Sequence, residues 1–170
     1  MSFRSALLGL VAAALLAGGC SHYQLGTAGR LGFTTLYVAP VANTTMLPQA
    51  QTIVSTQLRD AFGQDGRVSL VNSPAGADAT LSVTLHDYHR DVRAVREDDT
   101  ALARKYALTL GAECTLRDNR TGRDLFTRRA VSVSRDAFTD GGQLQSEYQA
   151  VPLLAEALAQ KVAHTVLDVW

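Results

Sequence analysis

Along this chain the apolar positions change period several times, and each change marks an element. From Ala50 they fall at 50, 53, 54, 58, 61 and 62, a one-sided stripe opposed by Gln51, Thr52, Ser55, Arg59 and Asp60. That spacing predicts an amphipathic helix. It is entered through "NTTMLP", where Pro48 suits a first turn, and it stops before Gly66. A second stripe, Val151, Leu154, Ala155, Leu158, Val162, Val166 and Val169, predicts a helix over Tyr148–Trp170. Pro152 would then sit near the start of that helix, where a proline does least harm.

Elsewhere the period is two, the signature of a strand with one buried face. Thr34–Val41, "TTLYVAPV", is β-branched and aromatic and ends near Pro40, since proline belongs at strand edges and ends. A short strand at Val68–Val71 and a break at "NSPAGAD" follow. In Ala79–Asp91, Leu81, Val83 and Leu85 alternate with Thr80, Ser82 and Thr84. In Arg104–Arg117, Tyr106, Leu108, Leu110, Ala112, Cys114 and Leu116 alternate with Thr109, Glu113 and Thr115. In Asp124–Phe138, Leu125, Val131 and Val133 share one face, and Arg128, Ser132 and Ser134 the other. "DNRTG" at 118–122 predicts a tight hairpin turn.

The principal elements run β-α-β-β-β-α. Each strand has one apolar face and each helix one apolar stripe. The predicted fold is therefore an α+β two-layer sandwich, with two helices packed on one face of a four-stranded, mixed and mostly antiparallel sheet. The other sheet face carries Thr80, Ser82, Thr84, Thr109, Thr115, Ser132 and Ser134. It is left to water or to a polar partner.

The first twenty residues change this picture. "MSFRSALLGLVAAALLAGGC" has one basic residue, Arg4, then an uncharged run whose apolar core is Ala6 to Ala17. A spanning helix needs roughly twenty apolar residues, so the run is too short for a permanent anchor. A basic start, a short apolar core and a small-residue end form an export signal. The small residues Ala17, Gly18 and Gly19 lead into Cys20, whose thiolate is readily alkylated. The segment resembles a bacterial lipobox, with Ala17 where leucine is commonest and Leu16 one position earlier. Residues 1–19 read as a lipoprotein signal peptide, 20–33 as a lipidated tether and 34–170 as a single domain. A plain secretory signal cut near Cys20 is the other reading of the same residues. Several acyl chains on Cys20 would hold the domain at a membrane without spanning it.

Composition adds exclusions. Lys plus Arg balances Asp plus Glu at 16 each, so no global field draws the chain to nucleic acid. Beyond Cys20 the only cysteine is Cys114, which lies in the apolar phase of its strand and reads as a buried structural thiol. With Cys20 acylated, no internal disulfide can form, and the domain rests on its hydrophobic core.

Candidate catalytic groups do not assemble into a constellation. On a regular strand, His86 and His89 point to opposite faces, which argues against a shared metal site. "EDD" at 97–99 reads as a solvated loop without the glycine and ligand spacing of a calcium site. His164 falls on the exposed side of the last helix. No G-x-S-x-G, H-E-x-x-H or glycine-rich phosphate loop is present, so the chain reads as a non-enzyme with no metal and no cofactor. What remains is a basic series, Arg90, Arg93, Arg96, Arg104 and Lys105, around one loop, with Arg128 and Arg129 on the next strand. It reads either as an exposed loop offset by Asp91 and "EDD", or as an anion-binding end of the sheet suited to phosphate.

Several stretches taken together, "CSHYQL", "VAPVANTT", "LRDAF", "ADATLSVTLHDY", "YALTLGAECTLRDNRTGRDLF" and "LAEALAQKVAHTVLDVW", are similar in order and spacing to the LptE family of lipopolysaccharide-assembly lipoproteins. The resemblance implies an outer-membrane lipoprotein facing the periplasm. Such a protein plugs an LptD-type β-barrel, assists its assembly and aids lipopolysaccharide transport to the surface. From the family only Cys20 carries over, as the lipidation site. Arg90, Arg93, Arg96 and Arg128 are expected to contact lipopolysaccharide phosphates from charge and position alone. The alternative is an auxiliary lipoprotein of an ABC-type lipid transporter. An envelope hydrolase would need a nucleophile and base that the chain does not bring together.

Overall fold

Pro40, which has no N–H to give a ladder, cuts the first strand in two. Thr35–Val38 forms β1 and Ala42–Asn43 forms β2, with the Ala39 N–H donating to the Leu81 carbonyl at 2.9 Å between them. The computed structural model describes residues 31–95, 103–138 and 143–168. After β2 come helix α1 (Ala50–Asp65), strand β3 (Ser69–Val71) and a single 3₁₀ turn, Pro74–Gly76. Three long strands follow, β4 (Ala79–Val95), β5 (Ala103–Asp118) and β6 (Asp124–Phe138), then helix α2 (Gln143–Leu167). The "EDD" loop, Arg96 and the terminal Val169 and Trp170 lie outside the described residues.

The sheet runs in the order β3-β1-β4-β5-β6, and β2 also pairs with β4. β1 is parallel to both β3 and β4, while β4, β5 and β6 form an antiparallel meander. Both helices pack on one face, so the α+β sandwich stands. The sheet has six strands, not four, because β2 splits from β1 and the short β3 joins the edge. Helix α1 ends where Gly66 takes φ 73°, a left-handed value that costs a glycine little.

The core is what the periodicity predicts, with two exceptions. Ala50, Val54, Leu58, Ala61 and Phe62 of α1 are buried, as are Leu81, Val83, Leu85, Leu108, Leu110, Ala112, Cys114 and Leu116 of the sheet. Leu154, Ala155, Leu158, Val162 and Val166 close it from α2. Removing one buried leucine from such a cluster costs roughly 2–5 kcal/mol.

The exceptions are β-bulges. In β4, Leu85 pairs with Ala112 but Asp87 pairs with Gly111, leaving His86 as an extra residue. Past it the phase inverts: Tyr88, Arg90 and Val92 take the helix side, and Asp87, His89 and Asp91 go outward. Gly111 makes room for this bulge, since a Cβ there would lie 3.1 Å from the Asp87 Cβ. In β6, Phe126 pairs with Leu116 and Arg129 with Cys114, so Thr127 and Arg128 together oppose Thr115. Phe126, not Leu125, therefore belongs to the core with Val131 and Val133; Leu125 is exposed.

The last helix also differs from expectation. It begins at Gln143, five residues before Tyr148, so Pro152 lies inside it. Tertiary contacts hold these extra turns: Arg90 of β4 pairs with Glu147, and the Ser146 hydroxyl donates to the Phe138 carbonyl.

Polar clamps close the other end of the sandwich. The Asp78 carboxylate accepts from the Thr34 and Thr35 N–H groups at 2.9 and 3.0 Å and from the Thr34 hydroxyl at 2.9 Å. These bonds hold its pKa well below the usual carboxylate range. The Asn119 side chain, in the β5–β6 turn, donates to the Ala77 carbonyl and the Thr80 hydroxyl, both at 2.9 Å.

Because the native pKa of Asp78 is lowered, its stabilising contribution is complete above the unfolded aspartate value of about 3.9 and fades as the pH falls below that. Asp78→Ala should lower the urea midpoint at pH 7 and flatten its decline between pH 5 and pH 2. A variant whose acid limb parallels that of the parent chain would show that Asp78 is not a stabilising clamp.

Candidate functional site: the open face of the sheet

Helices cover one face of β4–β5–β6; among the described residues no helix covers the other. Register builds that open face row by row. Ser82 stands opposite Thr115, Thr84 opposite Glu113 and His89 opposite Thr109. On the far side Thr109 faces Ser134 and Gly111 faces Ser132. The Thr109 hydroxyl donates to Ser134 Oγ at 3.2 Å. The hydroxyl-rich face expected from the sequence is thus a continuous surface of short polar side chains.

Its charges come in pairs. Arg128 Nε and Nη2 donate to the two Glu113 carboxylate oxygens at 2.9 and 3.2 Å, a fork that lowers the Glu113 pKa and raises that of Arg128. Arg128 itself sits at φ 46°, a left-handed conformation unusual for a residue with a side chain, and its N–H donates to Thr115 Oγ1 at 3.1 Å. Nearer the far end His89 lies between two carboxylates, 3.1 Å from Asp87 and 3.6 Å from Asp91. Lys105 pairs with Asp136 at 2.8 Å and lies over the Phe138 ring.

The bulge at His86 overturns one expectation. It turns His86 to the same open face as His89, with the His86 Cε1 atom over Gly111, where a regular strand would have separated them. Even so, no three His, Cys, Asp or Glu groups among the described residues are placed to share a metal ion. Cys114 is buried, and burial pushes its thiol up to about 12. His164 is exposed and hydrogen-bonds Asp168 at 2.7 Å.

The described arginines of the candidate anion site do not converge. Arg90 faces the helix side and pairs with Glu147. Arg93 is a second extra residue in β4, exposed, with its guanidinium 4.0 Å from Asp91. Arg128 is on the open face, roughly 20 Å down β5 from the level of Arg90. Arg96 lies outside the described residues. Arg129 is turned inward, its guanidinium 4.2 Å over the Phe126 ring. One cation was overlooked: Arg135 lines, with Phe138, Ser146 and Leu153, a shallow cleft of about 250 Å³ between β6 and the start of α2. Its place in the apolar phase of β6, beside Val133 and Ala137, was the available signal.

This architecture, two helices on one face of a mixed sheet with a polar other face, is an α+β fold also seen in solved structures. A minor lipoprotein from Acinetobacter baumannii superposes with a TM-score of 0.54 at 17% identity, over 81% of this chain and 95% of that one. A protein from Xanthomonas campestris gives 0.62 at 11% identity over 82% and 86%. An uncharacterised lipoprotein B from Nitrosomonas europaea gives 0.55 at 14% identity over 87% and 88%. At these identities the likeness is one of fold. No curated protein matches the chain. The family model for lipopolysaccharide assembly, LptE, matches residues 33–166, and the chain belongs to the LptE family. No helix among the described residues is long and apolar enough to cross a membrane.

Two outcomes test this geometry. Cys114 should resist iodoacetamide in the folded protein at pH 8 and react once urea unfolds the chain; rapid labelling of the native state would contradict its burial. Arg128→Gly removes a side chain from a left-handed position that glycine accepts readily, so it should unfold at a urea concentration no lower than the parent chain. A lower midpoint would mean that the fork with Glu113 outweighs the backbone strain.

Proposed function

We propose that this chain is a non-catalytic outer-membrane lipoprotein, anchored through acylated Cys20, that seats inside an LptD-type β-barrel and assists its assembly and the outward passage of lipopolysaccharide. The observation that carries the reading is the open face of β4–β5–β6. A surface of threonine and serine hydroxyls with ion-paired charges is already satisfied in water. It can be enclosed by a hydrated wall without stranding a bare charge, which an apolar partner would do at a cost of several kcal/mol. Membership of a lipopolysaccharide-assembly family supports this class of partner.

Direct lipopolysaccharide contact rests on the arginines at the far end. Arg93, exposed and only loosely engaged with Asp91, is the best placed of them for a phosphate. Arg90 would have to leave Glu147 first, and Arg128 would act at a separate point on the open face.

The test is affinity purification of the tagged, full-length protein from gently solubilised membranes. A β-barrel recovered in near-equal amount supports the reading; ATPase or substrate-binding subunits would replace it with a transporter-auxiliary role. In the purified protein, serine at Arg90, Arg93, Arg96 and Arg128 together should weaken lipopolysaccharide binding. Unchanged binding would remove these arginines from the contact while leaving the barrel reading intact.

A further inference from the structure

Helices α1 and α2 run parallel, and their C-terminal ends are tied together: Arg67 donates to the Leu167 carbonyl at 3.2 Å and to Asp168 at 2.7 Å. From that shared end α1 has 16 residues and α2 has 25. The first nine residues of α2 therefore overhang the start of α1 by about 13 Å. Leu144, Tyr148, Val151, Ala155, Val162 and Val166 form one stripe along α2. From Val151 onward it is buried, but Leu144 is 83% and Tyr148 74% exposed.

The sheet layer stops at the same level. On the side away from β5, β4 pairs with β1 at Ala79–Leu81 and with β2 at Thr84–Leu85. From Asp87 to Val92 that side has no strand among the described residues. Val92, on the helix side of this stretch, is 57% exposed. At the corner the loop after β2 is pinned by the Thr44 N–H to the Leu85 carbonyl at 2.9 Å, and it holds Met46 out at 96% exposure. The result is a ledge: a free backbone edge for its floor and an apolar helix flank for its wall.

The opposite edge of the sheet is treated differently. On β6 the Lys161 ammonium donates to the Ser132 carbonyl at 2.8 Å, Ser146 donates to the Phe138 carbonyl, and the Arg128 bulge breaks the register. These devices discourage strand addition. Among the described residues no side chain is hydrogen-bonded over the backbone of β4 from Asp87 to Val92, and the bulges at His86 and Arg93 fall at either end of that stretch, not within it.

We propose that this ledge receives an extended segment of a partner protein, added as a strand to the edge of β4 at Asp87–Val92. Main-chain hydrogen bonds would supply the pairing and alternate side chains the choice of partner. Bulky apolar residues of the segment meet Val92, Tyr148 and Leu144. Basic residues at the intervening positions meet Asp87 and Asp91, which share the His89 imidazole, with the exposed Arg93 guanidinium 4.0 Å from Asp91. An extended occupant fits better than a helical one, because what lies open is a backbone edge as well as an apolar flank. The inference is independent of whether the partner is a barrel.

The test places photoreactive p-benzoylphenylalanine at Tyr148 or Val92 of the full-length protein in its own cells, with Glu156, exposed on α2 and away from both the ledge and the open face, as control. Both probes, and not the control, should crosslink to one short segment of a single partner, and peptide mapping should find alternate residues of that segment modified. Leu144→Glu with Tyr148→Glu should cut the Val92 adduct by at least about tenfold, a loss of roughly 1.4 kcal/mol in binding. Adducts confined to a second copy, to this chain's own residues or to lipid would overturn the inference, as would no adduct at all. A barrel that co-purifies in near-equal amount while Tyr148 yields no adduct would sink the ledge and spare the proposed function.

Discussion

Covering one face of a strand ribbon 15 to 17 residues long with only two helices imposes a single demand on every residue of that ribbon: its phase must match the side on which the helices lie. A strand alternates sides at each residue, so one extra residue transfers everything beyond it to the opposite face. Here that transfer is used deliberately. Without the bulge at His86, Asp87, His89 and Asp91 would point into the helix layer. With it, Tyr88 and Val92 go there and the charged trio faces out. The bulge at Thr127–Arg128 does the same for β6, bringing Val131 and Val133 into line behind Phe126. The separation of an apolar from a polar face, on which both the core and the candidate site depend, therefore rests on two local irregularities.

This explains which parts of the molecule could be read from its sequence. The stripes of α1 and most of α2, and the alternation of Leu81 to Leu85 and Leu108 to Leu116, are regular, and period alone identifies them. The bulges are not regular. Counting by twos puts Leu125 in the core and separates His86 from His89, because nothing in the count announces an extra residue. A signal was present all the same: the apolar phase of β4 shifts from odd positions at Leu85 to even ones at Tyr88, and Gly111 stands opposite the shift. The start of α2 was illegible for another reason. Between Gln143 and Glu147 the one apolar residue, Leu144, is exposed, and tertiary contacts through Arg90 and Phe138 hold those turns in place.

The candidate site was half legible. Hydroxyls at alternate positions of three strands predict a polar face, and register turns that prediction into a surface. The arginines show the limit. Closeness in sequence around one loop suggested a cluster, but a guanidinium is placed by the side of the strand it leaves and by the carboxylate it meets. Arg90 leaves toward α2 and meets Glu147, Arg128 leaves outward and meets Glu113, and Arg93 is itself an extra residue in its strand. None of these partners is adjacent in sequence.

The domain is not held together evenly along its length. Its clamps, Asp78 with Thr34 and Thr35, Asn119 with Ala77, and Arg67 with Asp65 and Asp168, all lie at the end of the sandwich where β1 begins and α2 finishes. The far end has the interlayer ion pair Arg90–Glu147, carries the exposed apolar residues Val92, Phe138, Leu144 and Tyr148, and extends beyond α1. The first described residues enter the domain at the clamped end, where Arg120 donates to the Gly32 carbonyl at 2.5 Å. Polar cross-links are thus concentrated where β1 begins, and the chemistry available for partners is concentrated at the opposite end and along the polar face between them.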